Sequence, residues 1–233
     1  MKAELKGHEF DLDALVDLFP SGPIRVVRED GVHYLLADEI DSRQQGLQYY
    51  EVAPKVLERV NGLARVANSV YQPVELSGCY LEGKQRNVVV KPDSVVMRVR
   101  VGTPRIVVTG SDGVVHASLP PLSPQRAVVA TTHPDVAEAL ALMGQSVALG
   151  WIELYKVFEI VGDSVRPNTL DKIGLATAHD LSAFRASANR PDVSGADARH
   201  ARMSGGPPKH HMSLPEGRQF ISDPVRAWID SLR

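Results

Sequence analysis

Residues 52–81 read VAPKVLERVNGLARVANSVYQPVELSGCYL, and the period of their apolar residues changes halfway along. Val52, Val56, Val60, Leu63 and Ala64 recur every three or four positions, the spacing that lays one apolar stripe along a helix. Pro54 stands early enough to fit the first turn of a helix over 52–66, and Gly62 weakens that helix by roughly 1 kcal/mol relative to Ala. From Val74 the pattern becomes strand-like. Val74–Leu81, Asn87–Val90, Val95–Val101, Ile106–Thr109 and Val114–Ala117 are short runs separated by turn residues, which predicts a β-meander. A long helix running into strands predicts an α+β fold.

Working towards the N-terminus, Ile24–Arg28 and His33–Leu36 flank Glu29-Asp30-Gly31 and read as a hairpin. Asp11–Phe19 before them carries Leu12, Leu15, Val16 and Phe19 at helical spacing behind an acidic start. Beyond the proline-rich 119–124 stretch, helices are expected at Asp135–Met143, Trp151–Val161, Leu170–Ala176 and Leu181–Ala188. Ser213 and Glu216 form a capping-box pattern for a last helix, which Pro224 is expected to kink or split. The reading is therefore an N-terminal mixed or antiparallel sheet with one or two helices, followed by a helical C-terminal part. The boundary is placed at 1–120 and 121–233, although the 119–134 linker fits one continuous domain equally well.

Composition narrows the function classes. The chain has 233 residues, with 43% hydrophobic and 23% charged, and a net charge of -2. That balance argues against a disordered chain and against a globally basic nucleic-acid binder. Residues 1–60 hold 7 basic and 12 acidic groups, residues 61–125 hold 7 and 4, and residues 126–233 hold 12 of each. No apolar run approaches the roughly 20 residues that span a bilayer, so no membrane segment is expected. The acidic first twenty residues do not read as a signal peptide. Cys79 is the sole cysteine, which excludes an internal disulfide and favours a cytoplasmic setting.

Motif by motif, most chemistry lacks its context. Gly78–Lys84 has the spacing of a phosphate-binding loop, but Gln85 stands where Ser or Thr is needed and a strand follows, so a hairpin turn is expected. The eight histidines show no ligand spacing, and neither a metal nor a cofactor is expected. Neither a nucleophile elbow nor a dinucleotide fingerprint occurs. Lys84, Arg86, Lys91, Arg98, Arg100 and Arg105 lie on or beside the candidate strands. With only Tyr80 near for stacking, they read as a solvated sheet face rather than a nucleic-acid surface.

The remaining feature is 187–213, SANRPDVSGADARHARMSGGPPKHHMS, long for a connection within a compact domain. Pro191 pushes Arg190 into extended backbone, and Ser194 with Asp197 predicts a short helix over 195–203 that places Arg199 and Arg202 on one face beside His200. Arg190, Arg199, His200, Arg202 and Lys209 are the candidate ligand-binding residues. They suit an acidic protein surface or a phosphate-bearing ligand. Two other readings compete. The arginines can tie the loop to Glu153, Glu159 and Asp163, or His200 can act as the base of a phosphate-ester hydrolase, with Arg199 and Arg202 holding the anion.

Trp151–Glu159 (WIELYKVFE), Ser187-Ala188-Asn189, Ser194-Gly195, Ala198–Arg202 (ARHAR), Pro207-Pro208 and Met212-Ser213 resemble the C-terminal half of a widespread group of uncharacterised bacterial proteins. The resemblance covers about 80 residues. It implies no catalytic residue.

Overall fold

The computed structural model describes residues 1–43, 46–83, 85–89, 120–145, 147, 149–204, 206 and 208–232. Five strands form an antiparallel sheet in the order β2-β3-β1-β4-β5. They are β1 (Lys2–Lys6), β2 (Ile24–Glu29), β3 (Val32–Ala37), β4 (Glu75–Glu82) and β5 (Gln85–Val88). The helices are α1 (Glu9–Leu18), α2 (Asp38–Asp41), α3 (Tyr49–Ala67), α4 (Pro124–Thr132), α5 (Pro134–Met143), α6 (Trp151–Ser164), α7 (Ala178–Asn189), α8 (Pro191–Ser194) and α9 (Leu214–Ser231). The fold is α+β, with most of the helices after the sheet.

Alternation builds the buried sheet face. Ala3 and Leu5, Ile24 and Val26, and Leu35 and Ala37 are buried, each pair two residues apart on its strand. His33 lies on the same side of β3, with its Nε2 2.9 Å from the Asp13 carboxylate on α1. The α3 helix is the pivot of the molecule. It packs on α1 and β4 on one side and on α5 and α9 on the other, and buried residues from both sides of residue 120 join one cluster.

Several expectations change. The α3 helix begins at Tyr49, because the Glu51 carboxylate accepts from the Gln48 N–H at 2.8 Å, so Pro54 sits in the second turn rather than the first. A strand absent from the sequence reading, β1, lies at the centre of the sheet. The proline-rich stretch leads directly into α4, with Pro124 at its start, where a missing N–H costs nothing. Residues 170–176 form turns, since the N–H groups of Leu175 and Ala176 both point back to the Leu170 carbonyl. The α9 helix is not split at Pro224. Burial of Ile221, Val225, Trp228 and Ile229 along one face outweighs the lost backbone bond. Gly78–Glu82 lie on β4, and the next described element is the strand β5 at Gln85–Val88 rather than a helix. The expected strands at 95–101, 106–109 and 114–117 lie outside the described residues, as do Lys84, Lys91, Arg98, Arg100 and Arg105. Arg86, the described member of that set, lies 3.4 Å from Glu4 and 3.3 Å from the Cys79 sulfur.

Among the described residues, no helix is long and apolar enough to cross a membrane, and no group of three His, Cys, Asp or Glu is placed to hold a metal.

Candidate functional site

The last carbonyls of any helix need partners from outside it. For α7 the 187–213 loop supplies them. Pro191 holds Arg190 extended at φ -99° and ψ 120°, as its position predicts, and the Arg190 N–H closes on Ala186. The Ser194 hydroxyl donates to the Ser187 carbonyl at 2.6 Å, and the Arg199 N–H donates to the Ala188 carbonyl at 2.8 Å. The far end of the loop returns to the same place. Ser187, fully buried, donates its hydroxyl to the Met212 carbonyl at 2.9 Å and accepts from the Met212 N–H at 2.7 Å. One serine thus closes a span of 25 residues.

These bonds explain why the helix expected over 195–203 does not form. Ser194 spends its hydroxyl on α7 instead of capping, Gly195 adopts φ +62°, and a single 3-10 turn ends at Asp197. Arg199 and Arg202 therefore share no helical face.

Beneath the loop lies an aromatic cluster. Phe184 of α7 meets Trp151, Tyr155 and Phe158 of α6 and Phe220 of α9, with ring centroids 5.0–6.2 Å apart. Arg199 lays its guanidinium over the Tyr155 ring at 4.3 Å and reaches the Glu159 carboxylate at 3.2 Å. A cation stacked on an aromatic face and paired at its edge is held in one orientation. Arg185 similarly lies over Phe158 at 5.2 Å. The other expected anchors serve elsewhere: Glu153 accepts from the Gly150 N–H at the start of α6, and Asp163 pairs with Arg166.

Arg190 is buried and grips both oxygens of Asp192 at 2.8 and 2.9 Å. That hydrogen-bonded pairing holds the Asp192 carboxyl below the ordinary carboxylate range. His200, Arg202 and Lys209 stand in solvent, and none makes an ion pair with a described residue. The structure therefore divides the five candidates. Arg199 ties the loop to α6 and Arg190 pairs within it at Asp192, whereas His200, Arg202 and Lys209 are exposed. His210 meets His179 of α7 at a ring separation of 4.3 Å. Sequence reading missed Ser187 and Tyr155. Tyr155 sits one turn before Glu159 on α6, a spacing that offers a ring and a carboxylate to the same guanidinium.

Carboxylates also secure both helices that bracket the loop. The Ser213 N–H and hydroxyl hold Glu216 below its ordinary range, and the Thr177 hydroxyl, followed by His179, does the same for Asp180. A carboxylate with a depressed folded pKa contributes stability above its unfolded pKa and loses it as pH falls through the folded one. The denaturant midpoint is therefore expected to hold steady down to about pH 5 and to fall below about pH 4. Glu216→Gln is expected to shrink that acid loss in a urea titration followed by circular dichroism.

Compared with protein-family models, with curated proteins and with solved structures, the chain matches none.

Proposed function

We propose that the protein is a non-enzymatic binding protein that docks its 198–211 segment on an acidic surface of a partner protein. One observation carries the reading: a loop fastened to α7 and α6 through Ser187, Ser194 and Arg199 leaves Arg202 and Lys209 exposed to solvent. Between Asp197 and Glu216 the chain has no acidic residue to neutralise them. Met203, 51% exposed between the cations, adds apolar contact area. Fastening the backbone beforehand lowers the ordering cost of association, and an electropositive ridge favours encounter with an acidic patch.

The cations lie along exposed chain rather than around a cavity, which suits a protein surface better than a phosphate-bearing small molecule. The hydrolase reading gains nothing from the geometry, because His200 is exposed and no described group hydrogen-bonds its ring to orient it. The half-buried thiol of Cys79 fits a reducing, cytoplasmic setting.

The test uses a fluorescent Asp/Glu-rich peptide and anisotropy at about 50 and 200 mM salt. Binding is expected to weaken with salt and to fall about tenfold in the Arg202→Glu/Lys209→Glu double variant. The melting temperature of that variant is expected to match the wild type, since both side chains are exposed. Equal affinity in the two proteins removes the reading.

A further inference from the structure

Away from the loop, a cavity of about 50 Å³ opens where α3 and α9 meet the chain that follows α5. Two arginines line it. Arg65, on the last turn of α3, is buried and donates to the carbonyls of Met143 at 2.6 Å and Gln145 at 2.9 Å. Arg218, on the first turns of α9, donates its Nε–H to the Leu149 carbonyl at 2.9 Å. Burial pushes the Arg218 guanidinium below its ordinary pKa, and no described carboxylate pairs with it. The exposed residues Ser69 and Gln72 form the mouth, while Tyr71 and Ser222 complete the polar wall.

No carboxylate is among the described residues that line this space. Asp11, which accepts from the Gln72 N–H at 3.0 Å, is not part of the wall. A guanidinium carries five N–H donors in a fixed fork. Arg218 commits its Nε–H to a described acceptor, and its Nη groups are not among the buried atoms that lack a partner. Two permanent positive charges thus border a partly desolvated space that opens to solvent, while the Tyr71 and Ser222 hydroxyls donate to the Asn61 side chain and the Arg218 carbonyl. The volume exceeds the roughly 10–15 Å³ needed to seat one water.

We propose that this cavity binds a tetrahedral oxyanion of phosphate size, either free phosphate or the phosphoryl end of a small ester. The site stands on rigid supports: Arg65 is fixed by two carbonyls, and the start of α9 is seated by Gly217 against the Trp151 ring. It uses no residue of the 198–211 segment, so it is tested separately from the docking surface.

The experiment measures thermal unfolding with sodium phosphate, glycerol phosphate or sodium chloride at matched ionic strength. Phosphate at about 10 mM is expected to raise the melting temperature by roughly 3 °C over chloride. Glycerol phosphate giving the same rise assigns the site to phosphoryl groups in general, whereas a rise with phosphate alone assigns it to the free ion. Arg218→Gln is expected to abolish the rise. Ser69→Glu, a change at an exposed residue that leaves the core intact, is expected to halve it at least. The Arg202→Glu/Lys209→Glu protein is expected to keep it in full. The proposal is overturned if the wild type shows no rise over chloride, if either cavity variant keeps the full rise, or if the loop variant loses it.

Discussion

Gly144→Ala is expected to lower the melting temperature by roughly 10 °C, from a loss of about 3 kcal/mol or more. A methyl group on Gly144 would stand 1.9 Å from the Glu58 carbonyl oxygen, and one on Gly62 would stand 2.2 Å from that of Leu140. Glu58 and Gly62 are one turn apart on α3, and Leu140 and Gly144 one turn apart along α5 and its end. The reversed pairing means that the two segments run antiparallel with backbone against backbone. Neither obstacle is a side-chain tip that can rotate away, so the helices must separate, and every contact along their shared face loosens. Gly62→Ala is expected to be similarly severe, although alanine is the better helix former. The check is a thermal melt of each variant beside Gly162→Ala, where an added methyl meets nothing within 4 Å. A Gly162→Ala loss as large as that of Gly144→Ala removes the close-packing explanation.

Asn61→Ala is expected to cost about 3 kcal/mol, because one buried amide serves three partners. Its Nδ2 donates to the Val74 carbonyl at 3.0 Å, and its Oδ1 accepts from the Tyr71 hydroxyl at 2.7 Å and from the Val74 N–H at 3.2 Å. Tyr71 is itself buried, and burial raises its phenol pKa, so the hydroxyl stays protonated and needs an acceptor. Removing the amide leaves three polar groups unpaired where α3 turns towards β4. Asn61→Asp keeps the acceptors but puts a desolvated carboxylate beside the Val74 carbonyl. Its pKa would be raised, so its penalty relative to wild type is expected to shrink as pH falls from 7 to about 5. Urea unfolding at the two pH values measures this directly.

Both predictions show where sequence reading stops. The stripe on 52–66 identifies α3, and the turn at Glu29-Asp30-Gly31 identifies the β2–β3 hairpin, because period and turn chemistry are local signals. Gly62, by contrast, reads locally as a weakness in a helix, and only the approach of Leu140 from another segment shows that the missing side chain is required. Lys2–Lys6 alternates Ala3 and Leu5 inward, yet five residues give a weak signal, and its central place comes from pairing with β3 and β4. The α4 helix was hidden behind prolines that mark its start as readily as a linker. At the candidate site, the gathering of cations in 187–213 is legible in the sequence. Their division into fastened and displayed residues is not, since it depends on Tyr155, Glu159 and the C-terminal carbonyls of α7.

Amide hydrogen exchange at Arg199 and Met212 tests most directly whether the loop is fastened to α7 at both its ends. Both N–H groups are hydrogen-bonded back to α7, the first to the Ala188 carbonyl and the second to the Ser187 hydroxyl. In the wild type both are expected to exchange at least about tenfold more slowly than in an unstructured peptide. In Ser187→Ala the protection at Met212 is expected to vanish while the α3 amides keep theirs. Exchange at free-peptide rates for Arg199 and Met212 in the wild type would contradict the account, because a loop that opens that readily presents no fixed surface.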